Sequence, residues 1–213
     1  MEYVKQLIDL VLHVDRHLDS SIQSMGPWIY VLLFAIVFAE TGLVVTPFLP
    51  GDSLLFAIGA LAARPDGLNL LLCLALLTVA AILGDSVNYA IGRRLGPGVF
   101  TQDSRWLKRQ HLDKTQDFYA RYGGKTIVIA RFVPIVRTFA PFVAGVARMN
   151  YGKFMSFNIA GGFLWIFSLT LLGYFFGNFP IVKKNFGLVV IAIIILSILP
   201  AAIEVVREWR KRK

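Results

Sequence analysis

Charge is what this sequence has least of. Only 16% of its 213 residues are charged and 56% are hydrophobic, whereas a soluble globular protein carries about 25% and 45–50%. So few charges cannot coat a soluble monomer of this size. A single cysteine excludes a disulfide-stapled scaffold. No low-complexity tract is present, which excludes the disordered and collagenous classes. The phosphate-binding loop pattern and the paired-histidine zinc motif are both missing. No nucleophile stands beside a base, so an intramembrane hydrolase has no support, and neither an enzyme nor a bound cofactor or metal is expected. Acids are scarcer than bases, 13 against 22, for a net charge of +9. That excess suits nucleic acid, anionic lipid or membrane topology, and the placement of the charges has to decide.

What is present is apolar sequence in lengths that fit a bilayer. A helix needs about 20 mostly apolar residues to cross the hydrocarbon core. Three uncharged runs qualify, at residues 67–84, 154–182 and 185–203. Two further apolar regions, 27–63 and 126–147, are interrupted. The first holds Glu40, Pro47, Pro50, Gly51 and Asp52, and the second Arg131, Pro134, Arg137 and Pro141. Proline removes a backbone donor and clashes with the preceding turn, so neither region forms one straight helix. Broken backbone at membrane depth survives only inside protein or beside a water-filled cavity. Both regions therefore read as re-entrant hairpins turning at Pro47, Pro50 and Gly51 and at Pro134 and Pro141. Residues 1–25 place Val4, Leu7, Ile8, Val11, Leu18 and Ile22 at helical spacing against Lys5, Asp9, Arg16 and Asp19. That is an amphipathic helix, not a signal peptide.

Lysine and arginine gather in residues 93–125 and in the tail 204–213. The positive-inside rule puts both in the cytoplasm. Most of the positive excess thus reports topology, and a nucleic-acid partner is not expected. Counting back from a cytoplasmic C-terminus, the final helix (185–203) runs inward and the helix at 154–178 runs outward. The second hairpin opens to the cytoplasm, the helix at 67–92 runs inward, and the first hairpin opens outside. The expected fold is an all-α polytopic membrane protein. It is an inverted repeat of re-entrant hairpin plus transmembrane helix, spanning 26–182, with the N-terminal amphipathic helix and a C-terminal helix and basic tail (185–213) added. Sequence likeness between the halves is faint: Leu55-Phe56-Ala57-Ile58-Gly59 against Pro141-Phe142-Val143-Ala144-Gly145. Inverted repeats with broken helices are a transporter device, with the site near the midplane.

A charge at bilayer centre costs about 2.5–3.5 kcal/mol on the insertion scale. Glu40 and Asp52 in the first hairpin can neutralise Arg131 and Arg137 in the second. At about 4 Å and an effective dielectric near 20, one pair gains about 4 kcal/mol before desolvation. Static ion pairs that lock the hairpins are one reading. The functional reading is that a buried carboxylate beside arginine exchanges protons, while fork-shaped arginine suits a lipid phosphate.

These residues carry a resemblance. Glu40, Pro47-Phe48-Leu49-Pro50-Gly51-Asp52, Gly84-Asp85-Ser86-Val87-Asn88-Tyr89 with Gly92-Arg93, and Ala130-Arg131-Phe132-Val133-Pro134-Ile135-Val136-Arg137-Thr138 together resemble the signature of the DedA family. That family is also called the VTT-domain or SNARE-associated Golgi proteins, and the run from Gly123 to Gly145 is close to its bacterial branch. The resemblance implies a multi-pass protein of the bacterial cytoplasmic (inner) membrane that supports envelope integrity. It implies a lipid transporter or flippase moving undecaprenyl phosphate or another phospholipid headgroup, dependent on the proton-motive force. The residues the family cannot lose map to Glu40, Asp52, Arg131 and Arg137.

The expected partners are thus a membrane lipid and protons, with homo-oligomerisation open. Arg131 and Arg137 would hold the phosphate headgroup, and Glu40 and Asp52 would couple to protons. Asp85 and Asn88 are candidates to line the cavity, although Gly84, Asn88, Gly92 and Gly96 also fit close helix packing. His13 and His17 are four apart without a third ligand, and a solvated helix face accounts for them. Two rivals stand: a proton-coupled small-cation or drug antiporter, and a non-transporting membrane scaffold.

Overall fold

The structure is a computed structural model that describes residues 25–43, 51–65, 67–96, 115, 119 and 121–180. The amphipathic helix, Pro47 and Pro50, most of the 93–125 loop, the 185–203 helix and its basic tail lie outside these. All regular structure among the described residues is helical: α1 (Trp28–Gly42), α2 (Gly51–Ala62), α3 (Leu70–Leu95), a 3-10 turn (Gly123–Lys125), α4 (Thr126–Ala130), α5 (Pro134–Val146) and α6 (Tyr151–Gly177).

In the first interrupted region α1 ends at Gly42 and α2 begins at Gly51, and residues 44–50 between them lie outside the described residues. In the second region α4 stops at Ala130, Arg131 and Phe132 turn, and α5 starts with Pro134 at its first position. Val133 is extended, at φ −118° and ψ 105°, because the proline ring excludes the helical region for the residue before it. Pro141 departs from expectation. It lies inside α5 and marks no turn, since the helix can lose one internal hydrogen bond where packing holds both sides.

α3 and α6, of 26 and 27 residues, are long and apolar enough to cross a membrane. At 1.5 Å per residue each spans about 40 Å. Both start on asparagine caps: Asn69 Oδ1 accepts from Leu72 N–H at 3.0 Å, and Asn150 Oδ1 accepts from Lys153 N–H at 3.2 Å. Their faces are inverted relative to a soluble protein. On α3, Leu72, Val79, Leu83 and Val87 are exposed, while Gly84, Asp85, Asn88 and Tyr89 are buried. On α6, Ile159, Phe163 and Leu164 are exposed and Asn158, Gly161, Gly162 and Trp165 buried. An apolar outside around a polar inside suits lipid as the solvent. Cys73 is buried on α3 among leucines.

The chain forms two compact units interleaved along the sequence. In the first, α2 crosses the end of α6 so closely that side chains are excluded. A Cβ on Gly59 would meet Thr170 O and Tyr174 N, and one on Gly173 would meet Phe56 O. In the second, α5 crosses α3 the same way: a Cβ on Gly145 would meet Tyr89 O and Arg93 N, and one on Gly92 would meet Phe142 O. Phe56-x-x-Gly59 thus crosses Thr170-x-x-Gly173 as Phe142-x-x-Gly145 crosses Tyr89-x-x-Gly92. Within each unit, the second arm of one interrupted region clasps the long helix that follows the other. Contiguous hairpin-plus-helix halves are not the compact units.

Candidate functional site

The second unit gathers the buried charges. Its frame is set by glycine. Gly42 at the end of α1 and Gly84 in α3 sit backbone to backbone, with only 3.3 Å between a Cβ on Gly42 and Gly84 Cα. That approach brings Glu40, two residues back on α1, near the helix carrying Asp85. Asn88 ties three elements together: its Nδ2 donates to Thr41 O on α1 at 3.2 Å and to Thr138 O on α5 at 2.9 Å. At the far side of α5, Tyr119 O–H donates to Ala140 O at 2.9 Å. Burial raises the Tyr119 phenol above its usual range, with the Asp85 charge a smaller cause, so it stays a donor.

Two ion pairs form within this frame. Arg137 on α5 donates through Nη2 to Glu40 Oε1. Arg131, in the turn between α4 and α5, donates through Nη2 to Asp85 Oδ2 at 2.5 Å and to Asn158 Oδ1 at 2.6 Å. Arg131 is 2% exposed and Glu40 1%. Asn158 is itself fixed, because its Nδ2 donates to Ile82 O at 3.0 Å and reaches Ser86 Oγ at 3.5 Å. Trp165 stands against both cations, its ring centre 5.0 Å from Arg137 Cζ and 5.7 Å from Arg131 Cζ. Cation–π contact of this kind is worth about 2 kcal/mol or more when desolvated. Gly161 and Gly162 make room for Arg131: a Cβ on Gly161 would lie 3.2 Å from Arg131 Nε, and one on Gly162 3.6 Å from Nη2.

The balance of donors and acceptors is incomplete at Arg131 and Asn88. Arg131 Nε and Nη1 are buried with no hydrogen-bond partner among the described residues. A buried donor left unmade costs about 1–3 kcal/mol, and more on a charged group. Asn88 Oδ1, one turn beyond Asp85, is likewise a buried acceptor without a partner among them. Donors and acceptors in this state sit ready for a polar molecule or ion.

Of the residues expected to carry function, Glu40, Arg131 and Arg137 come together here, and Asp85 and Asn88 join them. The pairing differs from a simple opposition of hairpins. Glu40 meets Arg137, but the acid on Arg131 is Asp85, a residue of the long helix α3. Asp52 lies in the first unit, half-buried in the first turn of α2. Asn158, Trp165 and the Gly161-Gly162 pair were not expected. They sit in an uncharged run that reads as plain membrane helix. The one clue was periodic: Phe154, Asn158, Gly161-Gly162 and Trp165 fall on one face of α6, a stripe of mixed size unlike its leucine- and phenylalanine-rich neighbours.

The chain is similar to known proteins along most of its length. The family model for the VTT domain matches residues 49–175. Protein DedA of Escherichia coli K12 is 51% identical, covering 99% of this chain and 97% of that protein. An uncharacterized membrane protein of Mycobacterium tuberculosis is 45% identical over 85% of this chain and 80% of its own length. The inner membrane protein YqjA of Escherichia coli K12 is 33% identical over 100% and 98%. No solved structure matches.

Proposed function

This chain belongs to the DedA family of VTT-domain membrane proteins, and on that basis we propose that it is a lipid transporter of the bacterial cytoplasmic membrane. It moves a phosphate-bearing lipid, undecaprenyl phosphate or a phospholipid, by its headgroup and breaks no covalent bond in doing so. Its C-terminus lies in the cytoplasm, and the two interrupted regions are re-entrant hairpins of an inverted repeat.

The observation that carries this reading is the cluster of two arginines, Arg131 buried and Arg137 partly buried, each held by a buried acid among apolar helices. Arginine's planar fork matches phosphate oxygens, and inside a low-dielectric site a charge-assisted bond to phosphate is strong. A structural lock would be served more simply by apolar packing, because a buried ion pair often gives little net stability. Ion pairs that open to admit an anion have a use that a lock lacks. Protonation of Glu40 releases Arg137 for the headgroup, and deprotonation recloses the pair as the headgroup leaves. Asp52 serves as a second proton carrier on the path. This links transport to the proton-motive force. The repeated glycine crossing supports a duplicated transporter plan.

The test is translocation of labelled undecaprenyl phosphate by the purified protein in liposomes, with and without an inward proton gradient. Transport that rises with the gradient and collapses in Arg137→Ala is expected. Normal transport by Arg137→Ala would remove the headgroup role. A pH-sensitive dye in the same vesicles separates the antiporter rival, which moves protons on addition of cations and leaves lipid in place. The scaffold rival expects full function in cells with all four charges replaced.

A further inference from the structure

The end of the second unit where α3 finishes and α6 begins carries exposed cations and no acid. Arg93 and Arg94 lie in the last turn of α3, and Lys125 closes the 3-10 turn. Arg148 lies between α5 and α6, and Lys153 in the first turn of α6. Packing brings these elements to one surface. A Cβ on Gly145, three residues before Arg148, would lie 2.8 Å from Arg93 N. Tyr89, one turn before Arg93, donates its O–H to Met149 O, and its ring centre is 5.5 Å from that of Tyr151. A Cβ on Gly124, beside Lys125, would meet the ring of Phe157, one turn beyond Lys153. The five basic side chains are exposed, and none forms an ion pair among the described residues. Residues 86–96 and 121–180 contain no Asp or Glu. Tyr122 and Tyr151 are exposed at the same end, and tyrosine settles at the membrane–water boundary.

Arg148 stands apart from the other four. Its φ is 52°, and among the described residues no other non-glycine residue has a positive φ. It closes α5: Arg148 N–H donates to Gly145 O at 2.9 Å and Met149 N–H to Ala144 O at 3.0 Å. Glycine ordinarily fills this left-handed cap, because any Cβ there is strained. A long cationic side chain on a backbone suited to glycine is kept for what its head reaches, and no acid of the described residues takes that head. We propose that this face is a docking surface for the headgroups of anionic diacyl phospholipid in the surrounding bilayer, with Arg148 as its fixed cation. Charge complementarity selects the occupant: basic side chains from several elements meet negative headgroups in one plane, at the depth the tyrosines mark. The start of α6 adds the positive end of a helix dipole. This lipid is held and not carried, on an exposed surface apart from the buried ion pairs, so the inference is independent of the transport reading.

The test uses the full chain purified in dodecyl maltoside. It is titrated with dansyl-labelled phosphatidylglycerol and, separately, with dansyl-labelled phosphatidylcholine, and energy transfer from tryptophan is read. Phosphatidylglycerol should bind about tenfold more tightly, and the difference should shrink as added salt screens the charges. Equal affinity for the two lipids overturns the proposal. Polyglutamate serves as a competitor. If it displaces the labelled phosphatidylglycerol at a lower concentration than unlabelled phosphatidylglycerol does, the face is built for an acidic protein and the proposal falls.

Arg148→Gly separates a lipid site from a structural role. It relieves the strained backbone, so the midpoint of unfolding by denaturing detergent should rise. The same change should weaken phosphatidylglycerol binding about fivefold and leave phosphatidylcholine binding as it was. Unchanged phosphatidylglycerol affinity overturns the proposal, and a lowered midpoint means that the side chain holds the fold and counts against it. Arg148→Asn, which also suits left-handed backbone, should lose the same factor of about five. Arg148→Lys keeps the charge and should stay within about twofold of the parent. Arg64→Gln removes a cation from the other unit and should also stay within about twofold. A loss there equal to that of Arg148→Gly would trace the effect to net charge and sink the assignment. Neither readout involves translocation, so failure here leaves the transport reading standing.

Discussion

The two compact units share a packing device and differ in chemistry. The shift that carries Asn69 onto Asn150 also carries Tyr89 onto Thr170 and Gly92 onto Gly173, so the two long helices match from cap to crossing. A second shift carries Phe56 onto Phe142 and Gly59 onto Gly145. Under these same shifts Gly51 falls on Arg137, Gly84 on Trp165, Asp85 on Ile166 and Leu77 on Asn158. The crossing is kept in both units. The charges, the indole and the amide appear where the correspondence fails. Backbone contact between helices is a general need in lipid, where no hydrophobic effect drives helices together. Buried charge is expensive in lipid and is kept only where it is used.

The strongest way to break this contrast is to strip the charge from the second unit. Asp85→Leu alone leaves Arg131 buried without its acid and should cost about 3–5 kcal/mol of stability. The double change Asp85→Leu with Arg131→Met should recover most of that loss. Unfolding in mixed micelles of increasing denaturing-detergent content checks both, and a double variant as weak as the single would mean the pair serves stability.

Matched glycine changes sharpen the common part. Gly92→Ala and Gly145→Ala in one unit, and Gly59→Ala and Gly173→Ala in the other, each force apart two backbones in contact. Each should cost about 1–3 kcal/mol, with the two units close in effect. A unit that tolerated its alanine in the same unfolding assay would show that the two crossings differ. Asn88→Leu removes the donor shared by α1 and α5 and should cost about 1–3 kcal/mol. Its counterpart by the helix shift is Leu169, where Leu169→Ala creates only a partly buried gap and should cost less. The smallest pair is Asn69→Ala against Asn150→Ala. Each loses one helix cap and about 1 kcal/mol, which hydrogen exchange at the first turn of each helix would resolve.

Much of the fold was legible because lipid imposes simple rules. Length and the absence of charge marked 67–92 and 154–178 as spans, and α3 and α6 fall within a few residues of both. Proline marked the breaks, correctly at Pro134 and wrongly at Pro141, because a proline states only that one donor is missing and not whether the helix must end. The faint likeness between residues 55–59 and 141–145 falls on residues that make the same kind of glycine contact in each unit. The site was half legible. Glu40, Arg131 and Arg137 stood out because charge in apolar sequence is rare. Asp85 stood in the sequence as a candidate to line a cavity, not as the acid of Arg131. Asn158 and Trp165 had no signal beyond their shared helical face.

The sequence alone determined the solvent, the long helices, the break before Pro134 and the few residues too polar for their surroundings. These follow from composition and local backbone chemistry. Only the tertiary structure decided that α2 clasps α6 while α5 clasps α3. It also decided that Arg131 pairs with Asp85, and that Gly161 and Trp165 shape the space around it. Those outcomes depend on which surfaces meet, and close approach between distant glycines is a property of packing that no single stretch of sequence contains.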